Sequence, residues 1–254
     1  MKIIFLGTNG WYSSPTGDTA CILIDSKEHY VILDAGSGFY KLNKYISAKK
    51  PISLFISHFH LDHVQGLNTL PIFNFEQGID LYVGNGRLED FERFVNPPFI
   101  TGSEPKAEII ANLKTKIRLH ELSGEEQMIP FKVRAIEQKH SYIDHGFRMI
   151  LDGKTIVYTG DCGLTDAARE LAQDADLLIS ECANKKTEHP DNSGHLDPVQ
   201  AATLAKESNV KQLILTHFAA NLYTSLKDRK WAEEEAKKIF PQTTATTDGM
   251  EFVL

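Results

Sequence analysis

Short apolar runs alternate along this 254-residue chain with stretches in which apolar residues recur every three or four positions. The runs predict buried strands, and the amphipathic stretches predict helices. The predicted strands are residues 2–6, 19–24, 30–33, 52–57, 79–83, 116–120, 128–137, 147–151, 155–158, 175–180, 210–215 and 249–254. The predicted helices are residues 39–48, 64–70, 87–95, 105–113, 164–175, 198–207 and 229–240. This alternation is typical of an α/β protein, here in two βαβ-like halves, with the last strand completing the second.

Turn and capping residues mark several boundaries between these elements. Asp152 and Gly153 separate two apolar runs with the dipeptide that favours a tight β-hairpin. Asp197 followed by Pro198 predicts the N-cap and the first residue of a helix. Two prolines and a glycine within residues 96–102 predict an irregular segment.

The chemistry of the chain is concentrated directly after the strand at residues 52–57. His58, His60, Asp62 and His63 are four metal-binding side chains within six positions. Residues i and i+2 of an extended chain point the same way, so His58 and His60 can hold one ion. Asp62 and His63 lie where the chain turns into the next helix and can face a second ion. Imidazole and carboxylate together are ligands for zinc or a similar divalent metal. The alternative is a surface cluster of histidines, which the full pattern at a strand end makes the weaker interpretation.

Composition narrows the class of protein. With 42% hydrophobic residues the chain can bury one substantial core, so we expect a single domain over residues 1–254. The net charge of −7 leaves no basic footprint of the kind that binds a nucleic-acid backbone. Three widely spaced cysteines predict reduced thiols and a cytoplasmic protein, and no apolar run has the length of a signal peptide or a membrane span.

The pattern His-x-His-x-Asp-His at residues 58–63 resembles the signature of the metallo-β-lactamase superfamily. The resemblance implies an αββα sandwich of two mixed β-sheets flanked by helices, with a dinuclear metal site. It also implies three further ligands at strand ends, which map onto His140, Asp161 and His217. One metal would then be held by His58, His60 and His140, and the other by Asp62, His63 and His217, with Asp161 bridging them. Two Zn²⁺ ions are implied, although Mn²⁺ or another divalent metal also suits these ligands.

Three residues near these ligands have alternative interpretations. Asp34 matches a family aspartate that orients a ligand histidine through a hydrogen bond, but an aspartate that serves a turn or an N-cap fits equally. Cys162, next to Asp161, is expected to pack in the core. His145 is expected to be a loop residue.

The residues around the ligands resemble the ribonuclease Z branch of that superfamily and its phosphodiesterase relatives. There, a glutamate after a strand pairs with a histidine that is the proposed proton donor to the leaving group, and these map onto Glu181 and His195. A glutamate-paired histidine keeps its proton more readily and can act as a general acid. The alternative for His195 is simple packing beside its helix. We place Asp62 with His195 and Glu181 among the catalytic residues.

The chain departs from true transfer-RNA nucleases in ways that bear on its substrate. Those nucleases have an Arg-Asn loop where this chain has residues 15–19. Many of them also insert an arm that grips RNA between the third ligand histidine and the bridging aspartate, and the interval from His140 to Asp161 is too short for it. Phe99, in the irregular segment, can stack on a base or contact a second subunit. The resemblance to small phosphodiesterases, which include cyclic-nucleotide-cleaving enzymes, implies a homodimer that acts on a small phosphodiester, with folded RNA a weaker candidate and no membrane partner.

Three functions follow from this site. Paired zinc ions activate water and stabilise charge on phosphoryl or carbonyl oxygens, which favours a hydrolase over metal storage. The first hypothesis is a phosphodiesterase on cyclic or short nucleotides. The second is a transfer-RNA 3′-end nuclease, and the third is a lactonase or thioesterase on the same metal core.

Overall fold

Two seven-stranded β-sheets form the body of the molecule in the computed structural model, which describes residues 1–96, 113–186 and 194–254. The strands are β1 (Lys2–Gly7), β2 (Asn9–Gly10), β3 (Cys21–Asp25), β4 (Tyr30–Leu33), β5 (Ile52–Ile56), β6 (Ile79–Gly84), β7 (Ile117–Leu122), β8 (Gln127–Met128), β9 (Lys132–Gln138), β10 (Asp144–Leu151), β11 (Lys154–Tyr158), β12 (Leu177–Glu181), β13 (Leu213–Thr216), β14 (Phe218–Ala219), β15 (Thr243–Ala245) and β16 (Glu251–Val253). One sheet has the order β16-β1-β3-β4-β5-β6-β7 and the other β15-β13-β12-β11-β10-β9-β8, while β2 and β14 form a separate parallel pair.

Helices cover the outer face of each sheet. They are α1 (Leu61–Val64), α2 (Leu88–Val95), α3 (Asp166–Ala172), α4 (Pro198–Glu207) and α5 (Leu226–Lys237), with 3₁₀ helices at Ser37–Lys44 and Gln65–Ile72. Side chains of both sheets form one core between the sheets. Each sheet also packs one further core against its own helices. The expected αββα sandwich of two mixed sheets is therefore confirmed. None of the helices in the described ranges is long and apolar enough to cross a membrane.

The strands are apolar on both faces because each sheet is covered on both sides. In β1, Ile3 and Phe5 point into the core between the sheets, while Ile4 and Leu6 pack under the helices. Phe55 stacks on Tyr82 in the inner core with ring centroids 4.9 Å apart. Burial on both faces explains why the sequence shows continuous apolar runs in place of alternation.

The parallel strands bring their carboxyl ends to one edge of the sandwich. β4, β5 and β6 run parallel in the first sheet, and β11, β12 and β13 in the second. Chain segments that follow these strands therefore meet at that edge, where open α/β sheets commonly bind ligands.

Local signals in the sequence located several elements correctly. Asp152 and Gly153 form the hairpin turn between β10 and β11, with φ of 50° and 75°. Asp197 caps α4, where its carboxylate accepts the N–H of Gln200 at 2.9 Å in a capping box. Cys162 is buried in the core beneath the helices of the second sheet, as expected.

Other predictions were wrong in extent or place. The helix predicted over residues 39–48 is the 3₁₀ helix Ser37–Lys44, and the helix predicted over 64–70 is α1 followed by a 3₁₀ helix that includes Pro71. The final strand, β16, pairs antiparallel with β1 in the first sheet, so it does not complete the second. The edge of the second sheet, next to β13, is formed by β15. This strand was not predicted because it has only three residues and few of them are apolar.

His145 is a buried strand residue, and its prediction as a loop residue was wrong. It lies in β10, paired with Glu137 of β9, and is 5% exposed. The strand begins earlier than the apolar run indicated. Its first residues are polar, but they are buried and pair with β9, and the ring of His145 lies against Gly84. Phe99 and most of the helix predicted over residues 105–113 lie outside the described residues.

Candidate metal centre

The predicted ligands converge at the carboxyl ends of the strands in two groups. In the first group, His58 Nε2 lies 2.9 Å from His60 Nδ1, and His140 Nε2 lies 3.2 Å from the same atom. His58 and His60 follow β5, and His140 follows β9 of the other sheet. We call these three residues the open group, because His60 and His140 are only partly buried.

The second group lies deeper. His63 Nε2 is 3.0 Å from His217 Nε2, which is 3.2 Å from Asp62 Oδ2. All three residues are buried, and we call them the buried group. Asp62 and His63 lie in the first turn of α1, and His217 follows β13.

Asp161 lies between the two groups. Its Oδ2 atom is 3.5 Å from His63 Nε2 and 3.9 Å from the Nε2 atoms of His58 and His140. Its Oδ1 atom is buried and has no hydrogen-bond partner in the described part of the chain. The carboxylate therefore faces both groups.

Acceptors behind the ligands fix the tautomers of three histidines. Asp34 Oδ2 lies 2.7 Å from His63 Nδ1, and Asp144 Oδ2 lies 2.6 Å from His58 Nδ1. The carbonyl of Gly194 lies 3.0 Å from His140 Nδ1. Each acceptor takes the proton of Nδ1, so the Nε2 atom that faces the site carries a lone pair. Metal-binding histidines are oriented in this way.

These residues fit divalent metal ions. Bare nitrogens and carboxylate oxygens about 3 Å apart repel one another unless a cation lies between them, and imidazole with carboxylate is a donor set for zinc-like metals. Burial lowers the pKa of His58 to about 3. Burial and the neighbouring histidines lower the pKa of His60 to about 4. Both imidazoles are therefore neutral at pH 7, which metal binding requires.

Gly10 allows His217 to reach the site. His217 has φ of 55°, an uncommon backbone conformation for a residue with a side chain. A Cβ atom at Gly10 would lie 2.6 Å from Cε1 of the His217 ring, so no larger residue fits there without displacing the ligand. The parallel pairing of β2 with β14 holds the two segments together.

Glu181 and His195 form a pair beside the metal-binding groups. His195 Nδ1 lies 2.8 Å from Glu181 Oε1, and the other carboxylate oxygen accepts the N–H of Ala183 at 2.9 Å. Burial opposes the charged form of His195, but the charge of Glu181 outweighs it and raises the pKa of His195 to about 10. Its ring is 33% exposed and lines the cavity, with Nδ1 3.9 Å from Asp161 Oδ2.

A cavity of about 620 Å³ opens over the metal-binding groups. Besides ligands and His195, its walls contain Gly10, Trp11, Leu61, Ser141, Ala183, Asn184, Ala219, Asn221 and Leu222. This volume is in the range of small-molecule sites. A second cavity, of about 580 Å³, shares His140 and Ser141 with the first.

The sequence analysis missed two residues of this site. Asp144, which supports His58, lay in a segment taken as a loop, and its only signal is a carboxylate four positions after His140. Trp11 lines the cavity, and its only signal is a pair of aromatic residues in a loop of small and polar ones. Phe99, the residue predicted to contact substrate, is outside the described residues.

The beta-lactamase superfamily domain model matches residues 29–218 of the chain. The chain is 27% identical to the probable metallo-hydrolase YhfI of Bacillus subtilis, over 85% of this chain and 86% of that protein. The crystal structure of YhfI superposes with a TM-score of 0.79 over 99% of this chain and 98% of YhfI, at 22% identity.

Similarity to ribonuclease Z extends over nearly the whole chain. The ribonuclease Z of Methanosarcina mazei is 25% identical over 99% of this chain and 97% of that protein. The crystal structure of the short form of human tRNase Z has a TM-score of 0.75 and 25% identity, over 100% of this chain and 99% of that one.

Proposed function

The chain belongs to the beta-lactamase superfamily and is a metal-dependent hydrolase, and we propose that it is a phosphodiesterase that cleaves cyclic nucleotides or other small phosphodiesters. The observation that carries this proposal is the Glu181–His195 pair, 2.8 Å apart, at the wall of the metal-site cavity. Phosphodiester cleavage needs a proton on the leaving alkoxide, and this pair is built to deliver one.

We propose that the site holds two zinc ions. The open group would hold one, the buried group would hold the other, and Asp161 would contact both. Bound there, a pair of divalent ions would activate water and stabilise charge on the phosphoryl oxygens. Asp34 and Asp144 orient His63 and His58 toward these ions.

His195 is proposed as the general acid. Its Nδ1 atom lies 2.8 Å from Glu181 Oε1, and Nε2 is the atom proposed to give a proton to the leaving oxygen. Glu181 is buried, and its two oxygens also accept the N–H groups of Cys162 and Ala183. The carboxylate is therefore held in place beside His195, where it favours the protonated form of that imidazole.

A small substrate suits the molecule better than a folded RNA. Between His140 and Asp161 the chain forms only β10, a two-residue turn and β11, so this interval has no arm that could grip RNA. The net charge of −7 also opposes binding to an RNA backbone. Transfer-RNA 3′-end processing remains the second candidate, because of the similarity to ribonuclease Z over nearly the full chain.

A lactonase or thioesterase is the third candidate, and it would use the same metals without needing the Glu181–His195 pair. We further propose a homodimer, by analogy with the small phosphodiesterases that the sequence resembles. A cytoplasmic location is proposed from the cysteines, since Cys21, Cys162 and Cys182 are all free and buried.

Activity on a substrate panel, with metal analysis of the same preparation, tests the proposal. The panel contains cyclic nucleotides, bis-p-nitrophenyl phosphate, a precursor transfer RNA and a homoserine lactone. We expect close to two divalent ions per chain and the highest kcat/KM on a small phosphodiester. Faster cleavage of precursor transfer RNA at ordinary salt would favour the nuclease, and faster lactone opening would favour the third candidate.

A further inference from the structure

We propose that Trp11 is the platform on which the nucleobase of the substrate stacks, so that the site takes phosphodiesters that carry a base. This inference rests on the proposed phosphodiesterase function and names its substrate class. It concerns Trp11, in the loop between β2 and β3.

Trp11 joins the metal site to the rim of the cavity. Its backbone N–H donates to Asp62 Oδ2 at 2.6 Å, which places the residue one hydrogen bond from the metal-binding groups. Trp11 lines the cavity and, as a residue, is 65% exposed. A substrate whose phosphate reaches the metal-binding groups would occupy the cavity that Trp11 also lines.

The backbone at Trp11 is strained. Its φ is 74°, which is a conformational outlier for a bulky residue. The N–H of Tyr12 donates to the carbonyl of Gly10 at 3.0 Å, so Trp11 is the central residue of a γ-turn of the strained, positive-φ kind. Little burial of the indole compensates this strain, and strain without packing to explain it indicates a functional constraint.

The loop that presents Trp11 is rigid. The Asn9 side-chain amide donates to the carbonyls of Tyr12 and Gly17 at 3.2 and 2.7 Å. The buried guanidinium of Arg229 donates to Asn9 Oδ1. The ring of Tyr12 meets that of Trp11 edge-on, with centroids 5.5 Å apart. An exposed aromatic ring on an ordered loop loses little entropy when a ligand binds, which favours it as a binding platform.

The surroundings of Trp11 favour a base over an acyl chain. Leu61 and Leu222, which are 68% and 37% exposed, also line the cavity, and so does Asn221, a residue whose side chain carries an amide. A nucleobase can stack its face on an indole and place its polar edge against an amide, whereas an acyl chain has no use for the amide.

Tryptophan fluorescence tests the platform without turnover. The chain has two tryptophans, so Trp231→Phe leaves Trp11 as the only reporter. We expect adenosine 5′-monophosphate to quench the fluorescence of metal-loaded Trp231→Phe, and ribose 5-phosphate to leave it unchanged. The wild-type protein, titrated with both compounds by calorimetry, measures binding independently. Absence of quenching by the nucleotide, whether or not it binds, would overturn the inference.

Kinetics distinguish stacking from apolar contact. We compare a nucleoside 3′,5′-cyclic phosphate with the cyclic phosphate of 1-O-methylribose, which has no base. Trp11→Ala should lower kcat/KM for the nucleotide about 10- to 100-fold, as expected for one lost base–aromatic stack, and barely change it for the base-free compound. Trp11→Phe should restore most of the loss, and Trp11→Leu should not.

Two outcomes of the kinetics would contradict the inference. Equal losses on both cyclic phosphates would make Trp11 a structural residue, and full rescue by Trp11→Leu would make the rim merely apolar. Trp231→Ala is the matched control, because that residue is also partly exposed, at 39%, and lies on α5 outside the cavity.

Failure of this inference can be separated from failure of the proposed function. Hydrolysis of bis-p-nitrophenyl phosphate without quenching by nucleotides would leave the phosphodiesterase standing and overturn the platform. Quenching by nucleotides in a protein that hydrolyses no phosphodiester would support the platform and overturn the phosphodiesterase.

Discussion

The two ligand groups of the metal centre differ in burial and in support. The buried group is enclosed, and its members are held by Asp34 and by the N–H of Trp11. In the open group, Asp144 supports His58, but His60 and His140 are partly exposed, and His140 is held by an uncharged backbone carbonyl, that of Gly194. Rigid support raises metal affinity, so we expect the buried group to bind its ion more tightly. The open group then lies nearer to substrate and to His195, whose ring centroid is 4.8 Å from that of His140.

Removing the carboxylate shared by both groups should have the largest effect. Asp161→Ala takes away a carboxylate that faces both groups, and it should lose metal and activity together, to the level of the uncatalysed reaction. Metal content by mass spectrometry and hydrolysis of bis-p-nitrophenyl phosphate measure the two losses. Wild-type metal content in this variant would show that Asp161 does not bridge.

His195→Ala should separate chemistry from metal binding. Both groups should keep their ions, while kcat on the natural substrate falls by about 10²–10⁴-fold, the usual contribution of a general acid. The loss should shrink for a p-nitrophenyl ester, because p-nitrophenolate leaves without a proton. His120→Ala is the control. His120 Nε2 lies 2.9 Å from Asp80 Oδ1, and neither residue lines the cavity. An equal loss on both substrates would give His195 a positioning role and remove the catalytic role of Glu181.

A matched pair of variants tests the difference between the groups directly. Asp34→Asn weakens the support of His63 in the buried group, and Asp144→Asn weakens the support of His58 in the open group. Each should lower the affinity of its own metal by about 10–100-fold. In titrations against a chelating dye, Asp34→Asn should bring the two affinities together and Asp144→Asn should spread them further apart. Identical titration curves for Asp34→Asn and Asp144→Asn would show that the two groups do not bind metal independently.

Glu181→Gln should have the smallest effect, and it should depend on pH. The charge of Glu181 raises the pKa of His195, so the acid form is present below that pKa and is lost as pH rises through it. Without the charge the pKa falls, and the alkaline decline of kcat should begin at lower pH. The loss at neutral pH should be milder than in His195→Ala. A pH profile unchanged from wild type would mean that Glu181 does not set the protonation of His195.

The sequence indicated the candidate metal ligands because they lie in segments that come directly after strands, and strand ends can be located from local pattern. The parallel strands then bring those ends together, so His58, Asp161 and His217 meet although they lie far apart in the chain. The ligand histidines gave a strong signal because the short motif at residues 58–63 holds four binding side chains.

What the sequence did not indicate depends on contacts between distant segments. Asp144 supports His58 across the two sheets, and no periodicity marks such a partner. The pairing of β16 with β1 joins opposite ends of the chain, so apolar pattern cannot show which sheet the last strand enters. Trp11 was missed because its exposure follows from a strained turn that sequence propensities do not predict.

The pairing of β2 with β14 has a consequence for how this site could evolve. Asn9 and Gly10 pair with Phe218 and Ala219, so the segment that carries Trp11 and the segment that carries His217 form one ladder. A substitution that reshapes this loop for a new substrate also shifts a residue of the metal centre. Selection for substrate range would therefore act on metal affinity at the same time, and changes of specificity should arise more readily at the exposed residue Leu222 than at Gly10.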